Sequence, residues 1–117
     1  MAFFEAARPL VFAHRGGMML GPENTMETFD AGLRAGADGL ELDVHLSADG
    51  VVVVHHDRTL ERTTRGSGPV GAKTAAELAR LGVPALRDVL HRHRDTRVII
   101  EMKVDAEAIG DAVAREV

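Results

Sequence analysis

Residues 39–57, GLELDVHLSADGVVVVHHD, constrain the fold of this chain more than any other stretch. Leu40, Leu42, Val44 and Leu46 alternate with Glu41, Asp43 and His45. Strict alternation has the period of a strand and puts the two sets on opposite faces. SADG then supplies turn-forming residues, and VVVVHHD reads as a second strand. A parallel return needs a crossover of about a dozen residues or more. The link 47–50 is too short for that, so 40–46 and 51–56 are expected to form an antiparallel hairpin. If residues 46 and 51 pair, Glu41 pairs with His56 and shares its face. A bulge at Gly50 would shift this register by one.

Around the hairpin, apolar strands alternate with amphipathic helices. LVFAH, residues 10–14, reads as a short buried strand, and 15–23 as a loop. Asn24 is expected to cap a helix, with Glu27 in capping-box position and Met26, Phe29 and Leu33 on its apolar stripe. Gly36 is a natural stop. Thr74 and Glu77 repeat the capping pattern before a helix running to about Leu81. A further helix after Pro84 carries Leu86, Val89, Leu90 and His93 on one side. TRVIIEMKV is a strand with Glu101 and Lys103 on one face and Ile100, Met102 and Val104 on the other. Asp105 is placed to cap a last helix with Ile109 and Val113 inward. Strand–helix alternation of this kind predicts an α/β fold with a mainly parallel sheet.

The 117 residues suffice for one domain. A net charge of −4 argues against nucleic-acid binding, which needs excess base to neutralise phosphates. No apolar run reaches the roughly 18–20 residues of a membrane span. The start, MAFFEAARPLVFAH, is broken by Glu5 and Arg8 and does not read as a secretory signal. A cytoplasmic location is therefore expected. With no cysteine, thiolate metal sites and disulfides are excluded, which fits a reducing compartment.

Strands covered by helices on both faces normally read as apolar throughout. Here Glu41 and Asp43 share one strand face, Glu101 stands on another strand, and the first strand ends in His14-Arg15. Burying such groups without partners costs several kcal/mol each, on the order of the values for unpaired ions. A divalent cation among the three carboxylates would compensate. Alternate carboxylates on a strand lie about 6.6–7 Å apart along its axis and can reach one ion. All-oxygen donors point to Mg²⁺ or Ca²⁺ rather than zinc. An Asp–Arg or Glu–Lys network is the other arrangement these residues could form. His14 and His56 are candidates for acid–base work. In the register above His56 faces Glu41 and His55 does not, whereas His45 lies further along and is expected in a supporting or surface position. Arg15 could clamp a phosphate, and Lys103 could stabilise developing negative charge. The basic run around His91 and His93 reads as a solvated helix end.

Five segments occur in order: HRG followed five residues later by PENT, GADGLELDVHLSADG, HDRTLERTTRGSGPV, VPALRDVL and EMK. Together, over residues 10–104, they resemble the glycerophosphodiester phosphodiesterase family. The resemblance implies a TIM barrel, of which 10–14, 40–45 and 98–103 would be three strands and the hairpin an extra arm. Residues 1–117 would then form a single partial domain, the N-terminal part of the barrel. The resemblance further implies His14 and His56 as the catalytic histidines. Glu41, Asp43 and Glu101 would be the metal ligands, with Arg15 and Lys103 at the substrate phosphate. The substrate would be a glycerophosphodiester, cleaved to glycerol 3-phosphate and an alcohol. A full barrel has eight strands, so this chain is expected to leave sheet edges open and to self-associate through them. Two other readings are a non-catalytic barrel fragment that binds metal or phosphate, and a phospholipase C-type phosphodiesterase.

Overall fold

The computed structural model describes residues 8–17, 19–102 and 106–117. The elements are β1 (Phe12–His14), α1 (Met26–Arg34), β2 (Gly39–Leu46), β3 (Val52–Val54), α2 (Ala75–Arg80), α3 (Leu86–Arg92), β4 (Arg97–Met102) and α4 (Ala106–Glu116). A 3₁₀ turn at Val70–Ala72 precedes α2. Lys103, Val104 and Asp105 lie outside the described residues, and with them the expected phosphate contact and the expected cap of α4.

β2 is the centre of the sheet. β1 runs parallel along one edge, with His14 beside Glu41. β4 runs parallel along the other, with Glu41 beside Ile99 and Asp43 beside Glu101. β3 returns antiparallel, with Val44 opposite Val54 and Leu46 opposite Val52. Partners across a ladder share a face. His14, Glu41, Asp43, Ile99 and Glu101 therefore stand on one face. The opposite face carries Leu40, Leu42 and Val44, all fully buried. Against them pack Phe29 of α1, Leu86 and Val89 of α3, and Ile109 and Ala112 of α4. Each such leucine or phenylalanine contributes about 1.5–3 kcal/mol by burial. Val53, Leu60, Val70, Leu78 and Val83 form a smaller cluster beside the hairpin.

Two local expectations are corrected. The hairpin register is the one shifted by Gly50. Ser47 N donates to Val51 O at 2.9 Å, and Gly50 sits at φ +77°. This is a three-residue loop closed by a left-handed glycine, the geometry of a bulged turn. Glu41 consequently does not pair with His56, and β3 ends at Val54. The cap of α1 is Thr25, whose hydroxyl accepts from Thr28 N, rather than Asn24. Met102 pairs with Val44 and so shares the face of Ile100, as the alternation implies, and it is 44% exposed. The Thr74–Glu77 capping box forms as expected.

Candidate active site

The loop after β1 is shaped by a close approach. Arg15, Gly16 and Gly17 have φ of +50°, +81° and +102°. A Cβ on Gly16 would stand 2.3 Å from the Phe29 ring, and one on Gly32 would stand 2.4 Å from Gly16 O. The glycines let α1 lie directly against this turn. The turn projects His14 into solvent, 62% exposed along its side chain, with Nε2 3.8 Å from Glu41 Oε1. Glu41 also accepts from Arg15 N at 3.1 Å.

Glu41, Asp43 and Glu101 each bring a carboxylate oxygen within 4.8 Å of the others. Two unit charges about 5 Å apart at an effective dielectric of about 20 repel by roughly 3 kcal/mol. Asp43 is the buried member, at 1% exposure. Its Oδ2 accepts from Asn24 Nδ2 at 3.0 Å and lies 3.8 Å from Arg15 Nε. Asn24 Oδ1 and Arg15 Nε are themselves buried without a hydrogen-bond partner. Buried polar atoms are normally satisfied, so both side chains that touch Asp43 carry unused polar capacity. Oxygen ligands sit about 2.3–2.6 Å from Ca²⁺ and about 2.0–2.1 Å from Mg²⁺. Ligands of one such cation can span most of the distance observed. The donor set and its spacing thus fit a hard divalent cation.

Arg15 does not stand alone. Its Nη1 lies 3.3 Å from both oxygens of Glu23. Glu23 is bound in turn by Arg62, at 3.0 Å from Nη1 and 2.8 Å from Nη2. Burial pushes the Glu23 carboxyl up, but the Arg62 hydrogen bonds and the Arg15 charge outweigh it and hold it below the usual range. Arg62 also binds Asp57, through Nε at 2.7 Å and Nη2 at 2.9 Å. Asp57 Oδ1 is 2.7 Å from His56 Nδ1. The Arg62 hydrogen bonds, followed by that of His56, hold the Asp57 carboxyl far below the ordinary carboxylate range.

The two adjacent histidines differ for a reason other than strand parity. His55 is buried, with Nε2 3.0 Å from Thr59 O. His56 is half-buried and backed by a carboxylate. His45 is buried as well, with Nε2 2.9 Å from His56 O, which places it behind the His56 backbone rather than at the surface. His93 packs beside Asp30 at 3.3 Å, away from this cluster. Sequence reasoning missed Glu23, Asn24, Asp57 and Arg62. PENT looked like a helix start, and an alternation argument has no purchase on loops. The carboxylate directly following His56 was the signal available.

The sequence profile of the glycerophosphoryl diester phosphodiesterase family matches residues 14–115. A probable glycerophosphodiester phosphodiesterase 1 of Mycobacterium tuberculosis is 46% identical over 83 residues, 71% of this chain and 30% of that protein. A putative glycerophosphodiester phosphodiesterase of Bacillus subtilis is 38% identical over 114 residues, 86% of this chain and 47% of that protein. The crystal structure of a glycerophosphodiester phosphodiesterase from Thermotoga maritima superposes with a TM-score of 0.84 at 35% identity, covering 94% of this chain and 50% of that one. A phosphodiesterase from Oleispira antarctica, solved with the product sn-glycerol-3-phosphate, also gives 0.84, at 28% identity, covering 92% and 51%. The chain thus spans between about a third and a half of the length of these relatives.

Proposed function

Because this chain belongs to the glycerophosphoryl diester phosphodiesterase family, we propose that its sheet end serves the hydrolysis of glycerophosphodiesters to glycerol 3-phosphate and an alcohol. The observation that carries this reading is the convergence of Glu41, Asp43 and Glu101 beside His14. The product bound to the Oleispira relative agrees with the substrate class. The three carboxylates would hold one Mg²⁺ or Ca²⁺ ion. When bound, that ion supplies charge to orient and polarise phosphoryl oxygens.

The remaining roles fall to this chain's own side chains. His14, exposed beside the cluster, and His56, backed by Asp57, form the acid–base pair. One takes the proton of the attacking hydroxyl, and the other protonates the oxygen of the departing alcohol. The attacking group is either the neighbouring glycerol hydroxyl, which yields a cyclic phosphate first, or water. Arg15, held between Glu23 and Asp43, presents a fixed cation to the phosphate, and Lys103 is assigned to the same phosphate by family likeness. We read residues 1–117 as one partial domain acting in the cytoplasm. Among the described residues, no helix is long and apolar enough to cross a membrane.

A second reading has its own observation. Ile99 of β4 is 43% exposed, and Glu101 on the same face is exposed too, where a closed barrel would cover its interior. On this reading the chain binds metal or phosphate without turnover. One assay separates the two. Purified protein should hydrolyse glycerophosphocholine with added Mg²⁺ or Ca²⁺ and stop with EDTA. Folded protein that binds the cation in calorimetry yet shows no turnover with either metal favours the second reading and ends the first for this chain.

A further inference from the structure

Arg62 uses one guanidinium to join two carboxylates that hold different parts of the site. Nε and Nη2 grip Asp57, while Nη1 and Nη2 grip Glu23. Glu23 comes from the loop before α1, and Asp57 from the loop after β3, 34 positions apart by their numbers. Glu23 is nearly buried and carries Arg15, while Asp57 carries His56. Fork-to-carboxylate contacts of this kind fix orientation as well as distance.

We propose that Arg62 is a positioning residue for His56: through Asp57 it holds the imidazole in the Nδ1–H tautomer and leaves Nε2 to exchange protons with substrate. The inference rests on the reading of His56 as half of the acid–base pair. An ionised carboxylate only accepts hydrogen bonds, so the 2.7 Å contact of Asp57 Oδ1 requires the hydrogen on Nδ1. Without Arg62, Asp57 would be free to rotate, and its hold on the ring would lapse. The same loss would release Glu23 from the second half of its ion pairs. The ring has one further anchor, indirect, in the contact of His45 Nε2 with His56 O. That contact holds the backbone and leaves the ring orientation to Asp57.

The test is ¹⁵N NMR of histidine-labelled full-length chain above the imidazole titration, which reads tautomers independently of turnover. Wild-type His56 should show Nδ1 protonated and Nε2 bare. Arg62→Gln should move His56 towards Nε2–H, the form favoured by an unrestrained imidazole. Arg62→Lys, which cannot fork to both carboxylates, should fall between. Where the wild type turns over substrate, Arg62→Gln should lower kcat about 10- to 100-fold, within the range acid–base positioning supplies, with KM little changed. A wild-type His56 in the Nε2–H form overturns the proposal without any variant. So does an Arg62→Gln protein that keeps the wild-type tautomer while losing only stability. Absent wild-type turnover overturns the hydrolase reading, and the NMR result then still decides the role of Arg62 at the ring.

Discussion

Among the described residues, Arg15 and Asn24 are the non-glycine residues with left-handed backbone, at φ +50° and +54°. Both turn their side chains to Asp43. Such conformations cost about 1–3 kcal/mol and persist where the surroundings over-determine them; here Asn24 N donates to Arg15 O at 2.9 Å and ties the two together. The charged residues around them make stability depend on pH in a definite direction. Asp57 has its folded pKa depressed, first by Arg62 and then by His56. Its unfolded value is about 3.9. A depressed folded value adds stability above the unfolded pKa and loses it as pH falls through the folded one. Asp57 is half-buried and its partner Arg62 is 49% exposed along its side chain, so solvent screening limits this contribution to about 0.5–1 kcal/mol. Asp57→Asn should therefore lower stability by that amount at pH 7 in urea unfolding. The gap to wild type should close progressively below about pH 4. A gap that stays constant from pH 7 to pH 3 would show that the Asp57 charge is not its source.

At the scale of elements, the site depends on how closely α1 can lie on the turn after β1. Gly32 faces Gly16 O at 2.4 Å from where a Cβ would be, with the Ala13 methyl group 3.1 Å away. The backbone cannot yield there as the tip of a flexible side chain could. Gly32→Ala should cost about 1–3 kcal/mol by overpacking and push the His14–Gly17 turn off the sheet. Thermal unfolding and the chemical shift of His14 would both report it, and an unchanged melting temperature would contradict the contact. This contact was not legible in the sequence, because it joins a helix residue to a loop carbonyl 16 positions away, which no periodicity marks. By contrast, β2 was fully legible, because alternation encodes a strand with one polar face. That pattern also put Glu41 and Asp43 on one face, as the strand register has them. Glu101 followed from the same logic on β4. The hairpin register was legible only up to the choice Gly50 makes, since a one-residue bulge leaves the alternation of each strand intact. The Glu23–Arg62–Asp57 chain was illegible because it joins loops distant in sequence, and loop residues carry no periodicity.

At the scale of the whole molecule, an α/β barrel closes its sheet with eight strands. This chain contributes β1, β2 and β4 to that sheet, with β3 as a hairpin arm. Among the described residues, no strand lies beyond β4 or on the outer side of β1. The helix-facing side is a dense core, but the other side presents Ile99 at 43% exposure, and Val11 beside β1 is 59% exposed. Unpaired strand edges with apolar side chains are templates for pairing with another chain. The protein is therefore expected to self-associate, with β4 edges or inner faces meeting between copies. Sedimentation velocity should show a dimer or larger species whose fraction rises with concentration. Replacing Ile99 with Lys places a charge on the apolar inner face and should shift the population towards monomer, without disturbing the helix-side core. A cooperatively folded monomer at all concentrations would refute the association. It would mean that the core beneath the helices alone stabilises three parallel strands and a hairpin, with the carboxylate face left to water.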